Sequence, residues 1–127
     1  LQAGKIVLCD RFSDSTFVYQ GLAQGQSLAE VDKLRRLNGF ACNELVADLT
    51  LLFDGRPQAL LQRRQARGVS DRYELQGLNF QERLREGFLT LAKAEPQRVC
   101  VIDAEAAQKA VTAEVMQRLE TLLHEAE

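Results

Sequence analysis

The stretch CDRFSDSTFVYQG, Cys9 to Gly21, sets several chemistries side by side. Asp10 offers a hard carboxylate of the kind that holds a magnesium ion or its waters. Arg11 offers a planar fork whose paired N–H groups grip phosphate. A strand end closed by a surface ion pair is the plainer role for the two. The residues that follow tilt the balance toward a site. Ser13 to Gly21 reads as one or two helical turns, on which Ser15, Thr16, Tyr19 and Gln20 include neighbours at three- and four-residue spacing. Their hydroxyls, phenol and amide can match the polar edge of a base and the face of a sugar, where a packing helix more often shows Leu or Ala.

A second cluster is RRQARGVSDRYE, Arg63 to Glu74. Arg63 and Arg67 share a helical face with Arg64 beside them, and Gly68 releases the chain into a loop carrying Asp71 and Arg72. A basic helix end is favourable against the helix dipole and needs no ligand. The alternative is a mobile set of arginines closing over a polyphosphate, a device for stabilising charge in phosphoryl transfer. The net charge of the chain is −2, so four arginines in ten residues favour a visiting anion. Asp54 and Asp103 follow apolar runs and can cap them; with Asp48 and Asn38 they are assigned no catalytic role. The only histidine, His124, lies among acidic residues near the end of the chain, which argues against a Ser-His-Asp triad or a histidine zinc site. Cys9, Cys42 and Cys100 lack metal-ligand spacing and read as small buried hydrophobes of a reducing compartment.

These groups need elements to hold them. At 127 residues the chain is one domain or part of one. With 46% hydrophobic and 27% charged residues it can build a core and stay in solution. It has no overall basic field for a nucleic-acid backbone, no apolar run near the roughly 20 residues of a membrane helix, and no visible signal peptide. Three continuous apolar runs, Lys5–Cys9, Leu49–Phe53 and Arg98–Ile102, read as strands covered on both faces, each ending in an acid. Ser27 and Glu30 form a capping-box pattern for a helix to about Asn43, with Val31, Leu34, Leu37, Phe40 and Ala41 on one face. Pro57 starts a helix that Gly68 stops. Phe80, Leu84, Phe88 and Leu91 mark a longer one ending before Pro96, and Val111, Val115, Leu119 and Leu122 a last one. Strands alternating with helices predict an α/β fold with a parallel sheet, whose ligands bind beyond the carboxyl ends of the strands. Asp10–Arg11, Asp54 and Asp103–Ala104 all fall there.

In combination these segments resemble the thymidylate kinases (dTMP kinases) of bacterial type. The resemblance rests on DRFSDSTFVYQG, then Leu37, Asn38 and Ala41, then DLTLLFD at Asp48–Asp54, RRQARGVSDRYE, and VIDA at Val101–Ala104, all in the family's order. Phe12 departs from the commoner Tyr or His, keeping the aromatic body without the polar tip. The resemblance implies a P-loop nucleoside-monophosphate kinase fold, of which this chain would form the C-terminal portion with a lid at about residues 63–76. It implies transfer of the γ-phosphoryl group of ATP to dTMP, giving dTDP, with Mg2+. Asp10 would sit at the metal and phosphate centre. Arg11 would hold the dTMP phosphate, Ser15 and Thr16 would lie near the thymine, Tyr19 near the deoxyribose, and Gln20 would help close the pocket. Arg63, Arg67 and Arg72 match the lid arginines, with Arg67 the catalytic one, and Ala104 would lie near the adenine. A cytoplasmic homodimer that binds neither nucleic acid nor membrane completes the expectation. Rival readings are another nucleoside or nucleoside-monophosphate kinase, and a truncated relative acting as a non-catalytic binding or dimerisation module.

The family's phosphate loop, G-x-x-x-x-G-K-S/T, occurs nowhere in these 127 residues. In the family's strand order, 2-3-1-4-5, the three runs correspond to strands 3, 4 and 5, and the loop-bearing strand 1 belongs between 3 and 4. Paired strands lie about 4.8 Å apart, so an empty slot would leave ladder groups unpaired at roughly 1–3 kcal/mol each. Three outcomes follow: an N-terminal segment supplied as a separate chain, direct re-pairing of the first two runs, or association between copies. In each, the isolated chain is expected to be inactive.

Overall fold

The computed structural model describes residues 4–66, 68 and 77–125. They fall into two compact units, Leu1–Val46 and Ala47–Glu127.

In the first unit, α1 (Ser13–Gln20) runs through a short 3₁₀ turn, Leu22–Gln24, into α2 (Leu28–Ala41). The head of α2 carries the expected capping box. The Glu30 N–H donates to the Ser27 hydroxyl at 3.4 Å, and the Ser27 N–H donates to the Glu30 carboxylate at 2.8 Å. At its end the Glu44 N–H turns back to the Gly39 carbonyl at 2.8 Å, with Asn43 and Glu44 both in the left-handed region. Phe17, Val18, Ala23 and Val31 form the core. Of the predicted apolar stripe on α2 only Val31 is buried, while Leu37 and Phe40 are exposed.

The run Lys5–Cys9 does not form the predicted strand. Ile6, Val7 and Leu8 are 68%, 63% and 86% exposed. β-branched residues favour a strand only where a neighbour accepts its ladder bonds and covers a face. Within its own unit Lys5–Cys9 has no such neighbour among the described residues. Asp10 and Arg11 therefore follow an unpaired segment rather than a strand.

In the second unit the order is β1 (Thr50–Asp54), α3 (Pro57–Ala66), α4 (Gly77–Ala94), β2 (Val99–Asp103) and α5 (Gln108–Glu125). The strands pair directly and in parallel, Thr50 beside Val99 through to Asp54 beside Asp103. Helix α4 packs on both strands, α5 on β2 and α3 on α4. Leu84, Leu91, Ala92, Val99 and Ile102 are buried together as its core. Arg98 fastens the start of the pair: the Thr50 N–H donates to its carbonyl, and its guanidinium donates to the Thr50 hydroxyl, both at 2.9 Å. Pro57 opens α3 where a missing N–H costs nothing, and Gly68 follows its end at φ 70°. The sheet is covered less than its apolar runs suggest, since Phe53 is 53% and Val101 41% exposed. The cysteines also depart from expectation: Cys9 is exposed and Cys42 and Cys100 are half-buried.

Candidate functional site

The first cluster lies at the head of α1. Arg11 has φ 63°, a left-handed backbone that a non-glycine residue adopts at a cost of about 1–2 kcal/mol. Beyond it the chain turns into α1. The exposed guanidinium donates from Nε to the Ser15 hydroxyl at 3.2 Å and lies 4.6 Å over the Tyr19 ring. Ser15 and Tyr19 stand four and eight residues on, along one helix face. The structure thus brings Arg11, Ser15 and Tyr19 together. Asp10, Thr16 and Gln20 are exposed nearby in sequence and stand apart from that group. Asp14 is buried at 8% in the first turn of α1, where the helix dipole favours a carboxylate.

The Asp10 carboxylate is exposed and fits the way magnesium is held, by one or two carboxylates with waters and substrate phosphates completing the shell. Among the described residues no group of three or more His, Cys, Asp or Glu forms a protein-only metal cage.

The second cluster lies at the carboxyl ends of β1 and β2. Arg63, two turns into α3, donates to the Ala104 carbonyl at 2.6 Å and the Glu105 carbonyl at 3.2 Å. Two of the residues singled out in the sequence are therefore in direct contact. Arg67 and Arg72 lie outside the described residues. Asp54 is held by Arg85 of α4 in a two-pronged pair, at 2.8 and 2.9 Å, and its carbonyl accepts the Ala104 N–H at 2.7 Å. The Asp103 carboxylate accepts the Glu105 N–H at 2.8 Å. Both acids stabilise the strand ends, as their position suggested.

Sequence reasoning missed Arg56 and Glu105. The Glu105 carboxylate accepts the Arg56 backbone N–H at 2.7 Å and its guanidinium at 2.7–3.1 Å. Hydrogen bonds from the Arg56 side chain, and then from its backbone, hold the Glu105 carboxyl down at about 2. A signal existed. Asp54 and Asp103 are in register, and Arg56 and Glu105 each stand two residues beyond them. Opposite charges at matched positions past two parallel strands face each other.

The thymidylate kinase family model matches residues 1–115. A thymidylate kinase of Pseudomonas fluorescens is 46% identical over 123 residues, covering 97% of this chain and 55% of that protein. One of Protochlamydia amoebophila is 40% identical over 127 residues, covering 94% and 55%. The crystal structure of thymidylate kinase from Ehrlichia chaffeensis superposes with a TM-score of 0.63 at 30% identity, over 94% of this chain and 53% of that one. The chain thus spans about half the length of the relatives it matches. With the parallel strand pair, the arginine at the head of α1 and the charged cluster at the strand ends, these matches lead to one conclusion: this chain belongs to the thymidylate kinase family.

Proposed function

We propose that the chain supplies the dTMP-binding and lid portions of an enzyme that transfers the γ-phosphoryl group of ATP to dTMP. The observation that carries this is Arg11. A left-handed arginine is a local cost, and such costs gather at functional sites. Here the cost sets the guanidinium against Ser15 and Tyr19, which fix its plane. That plane suits two-point binding of the dTMP phosphate. Tyr19 stands beside it for the sugar, Ser15 and Thr16 for the base, and Gln20 helps close the pocket. When bound through Asp10, Mg2+ supplies charge neutralisation at the phosphate oxygens. Arg63 and Ala104 take the ATP side, with Arg67 and Arg72 in the lid and Arg67 closing on the transferring group. The chemistry needs positioning and charge neutralisation rather than a strong base, so the lack of a histidine in either cluster is no obstacle. Alone the 127 residues lack the phosphate loop, and turnover requires that part from elsewhere. The working enzyme on this reading is a cytoplasmic homodimer.

The test is an ATP–dTMP phosphoryl-transfer assay on the chain alone, and on the chain joined to the part of the Pseudomonas fluorescens relative that it does not match. No turnover is expected from the first, and turnover from the second. In the joined enzyme Arg11→Ala should raise KM for dTMP, and Arg67→Ala should lower kcat by about 10³-fold or more. An inactive joined enzyme beside an active full-length relative would overturn the reading. So would an Arg11→Ala effect confined to ATP kinetics.

A further inference from the structure

We propose that Glu105 is a positioning residue that, with Arg56 and Arg63, fastens the turn after β2 to helix α3, so that Ala104 and the arginines of α3 face the nucleotide as one rigid piece. The inference rests on the phosphoryl-transfer reading above and adds to it a residue that touches neither substrate.

Three features of the geometry carry it. The first is convergence. Arg56 grips the Glu105 side chain at the head of α3, and about two turns along the same helix Arg63 grips the backbone of the same turn. Two attachment points on one helix stop the turn from pivoting as a single one could not. The second is closure from beneath. The Ala104 N–H is bonded to the Asp54 carbonyl and the Glu105 N–H to the Asp103 carboxylate, so the turn is fixed on its sheet side as well. The third is fit. A Cβ built on buried Gly55 would lie 3.1 Å from Leu60 and 3.3 Å from the Glu105 Cγ, so the glycine lets the Glu105 stem lie against the β1–α3 turn.

Magnitude decides between a stabilising and a positioning role. The Arg56 side chain is 69% exposed, and exposed ion pairs contribute little to stability. The two-pronged geometry instead fixes direction, which a paired arginine fork does better than it adds stability. The Arg56 guanidinium also cannot cap α3 itself. The carboxylate that takes its backbone N–H comes from 49 residues away, so the head of α3 is set by the β2–α5 turn.

The test has two arms. On the 127-residue chain, hydrogen exchange is measured at the first turn of α3 and at residues 104–105 in Glu105→Ala, Arg56→Ala and the double variant. Each single change should speed exchange about threefold or more, and the double change should add little to either, as coupled partners do. Unchanged exchange, or effects that multiply independently, overturns the clamp whatever the enzyme does. In the joined enzyme, Glu105→Ala should raise KM for ATP several-fold and leave KM for dTMP near wild type. Equal effects on both substrates, or a fall in melting temperature alone, overturn the positioning role. A joined enzyme inactive before any substitution defeats the phosphoryl-transfer reading, and with it the claim that Glu105 serves a nucleotide; the exchange arm still decides the clamp.

Discussion

Gly21 closes the YQG motif, and its substitution by alanine tests how the head of the site is built. An ideal Cβ at Gly21 lies 2.5 Å from the Val31 Cγ2 and 2.6 Å from the Phe17 carbonyl oxygen. Carbon atoms in contact sit at about 3.5–4.0 Å, so Val31 would have to retreat by about 1 Å. Val31 is 1% exposed and β-branched, so it has neither room nor a ready alternative rotamer. The Phe17 oxygen is backbone and already accepts the Gly21 N–H, so it cannot swing aside. The strain falls on the packing of α1 against α2, at about 1–3 kcal/mol for an overpacked core. Alanine recovers about 0.4–1 kcal/mol through a stiffer unfolded chain. The net loss is about 1–2 kcal/mol, or a melting temperature lower by roughly 4–10 °C. Thermal circular dichroism gives the shift, and hydrogen exchange should rise in α1 and α2. Adding Val31→Ala removes the obstructing methyl, so the pair should cost less than the sum of its members. A Gly21→Ala melt within about 1 °C of wild type would refute this account of the α1–α2 contact, and with it the reason Tyr19 and Arg11 hold their places.

Three further outcomes are expected. Asp54→Ala should cost about 1–2 kcal/mol in urea unfolding, because it strips the Arg85 guanidinium of a two-pronged, half-buried partner that is itself only partly screened from water; a loss below about 0.3 kcal/mol would count against the pair. The folded Glu105 carboxyl sits at about 2 against an ordinary 4.5, so its contribution is complete above about pH 4.5 and fades as pH falls toward 2; carboxyl carbon NMR should show that low midpoint, and a midpoint near 4.5 would remove the Arg56 contact. Ser27→Ala breaks one arm of the capping box and should cost about 1 kcal/mol, read from the urea midpoint, while Ser27→Asp should restore most of it.

The fold was legible in the sequence where the signal was local. The capping box at Ser27 and Glu30, Pro57 at the first position of α3 and Gly68 past its end are decided within a few residues, and each stands where expected. Both observed strands fall within one residue of the apolar runs that announced them. Legibility failed where an element depends on a neighbour. Lys5–Cys9 has the composition of a strand, yet its ladder and its cover must come from other residues. The same applies to the stripe on α2, where Leu37 and Phe40 keep helical spacing without a surface to meet. In the candidate site, Arg11, Ser15 and Tyr19 could be found because four-residue spacing brings them onto one face. Arg56 and Glu105 stand 49 residues apart, and their matched positions become a signal only through the parallel register of β1 and β2.

Charge counting alone also misjudges the arginines. The run from Arg63 suggested an anion because four cations in ten residues repel one another in a chain with no positive excess. The structure sorts the arginines around the strand ends by partner. Arg56 and Arg85 each face a carboxylate at 2.7–2.9 Å, which cancels their charge and gives them architectural work. Arg63 is held instead by two carbonyl oxygens, neutral groups that orient a guanidinium without cancelling it. Among the described residues no ion pair involving Arg63 accompanies those bonds. A cation fixed in direction and left with its field is what a phosphate needs, because none of the interaction is lost to reorganisation when the ligand arrives. The chemistry of Arg63's partners, more than the number of arginines beside it, therefore favours an anion there. A carboxylate placed at position 104 would test that distinction directly. Ala104→Glu should supply the missing countercharge beside Arg63 and weaken ATP binding in the joined enzyme, whereas Ala104→Gln, similar in size but uncharged, should weaken it much less. Equal losses from the two would mean that bulk at the turn, and not the uncancelled charge of Arg63, governs the nucleotide.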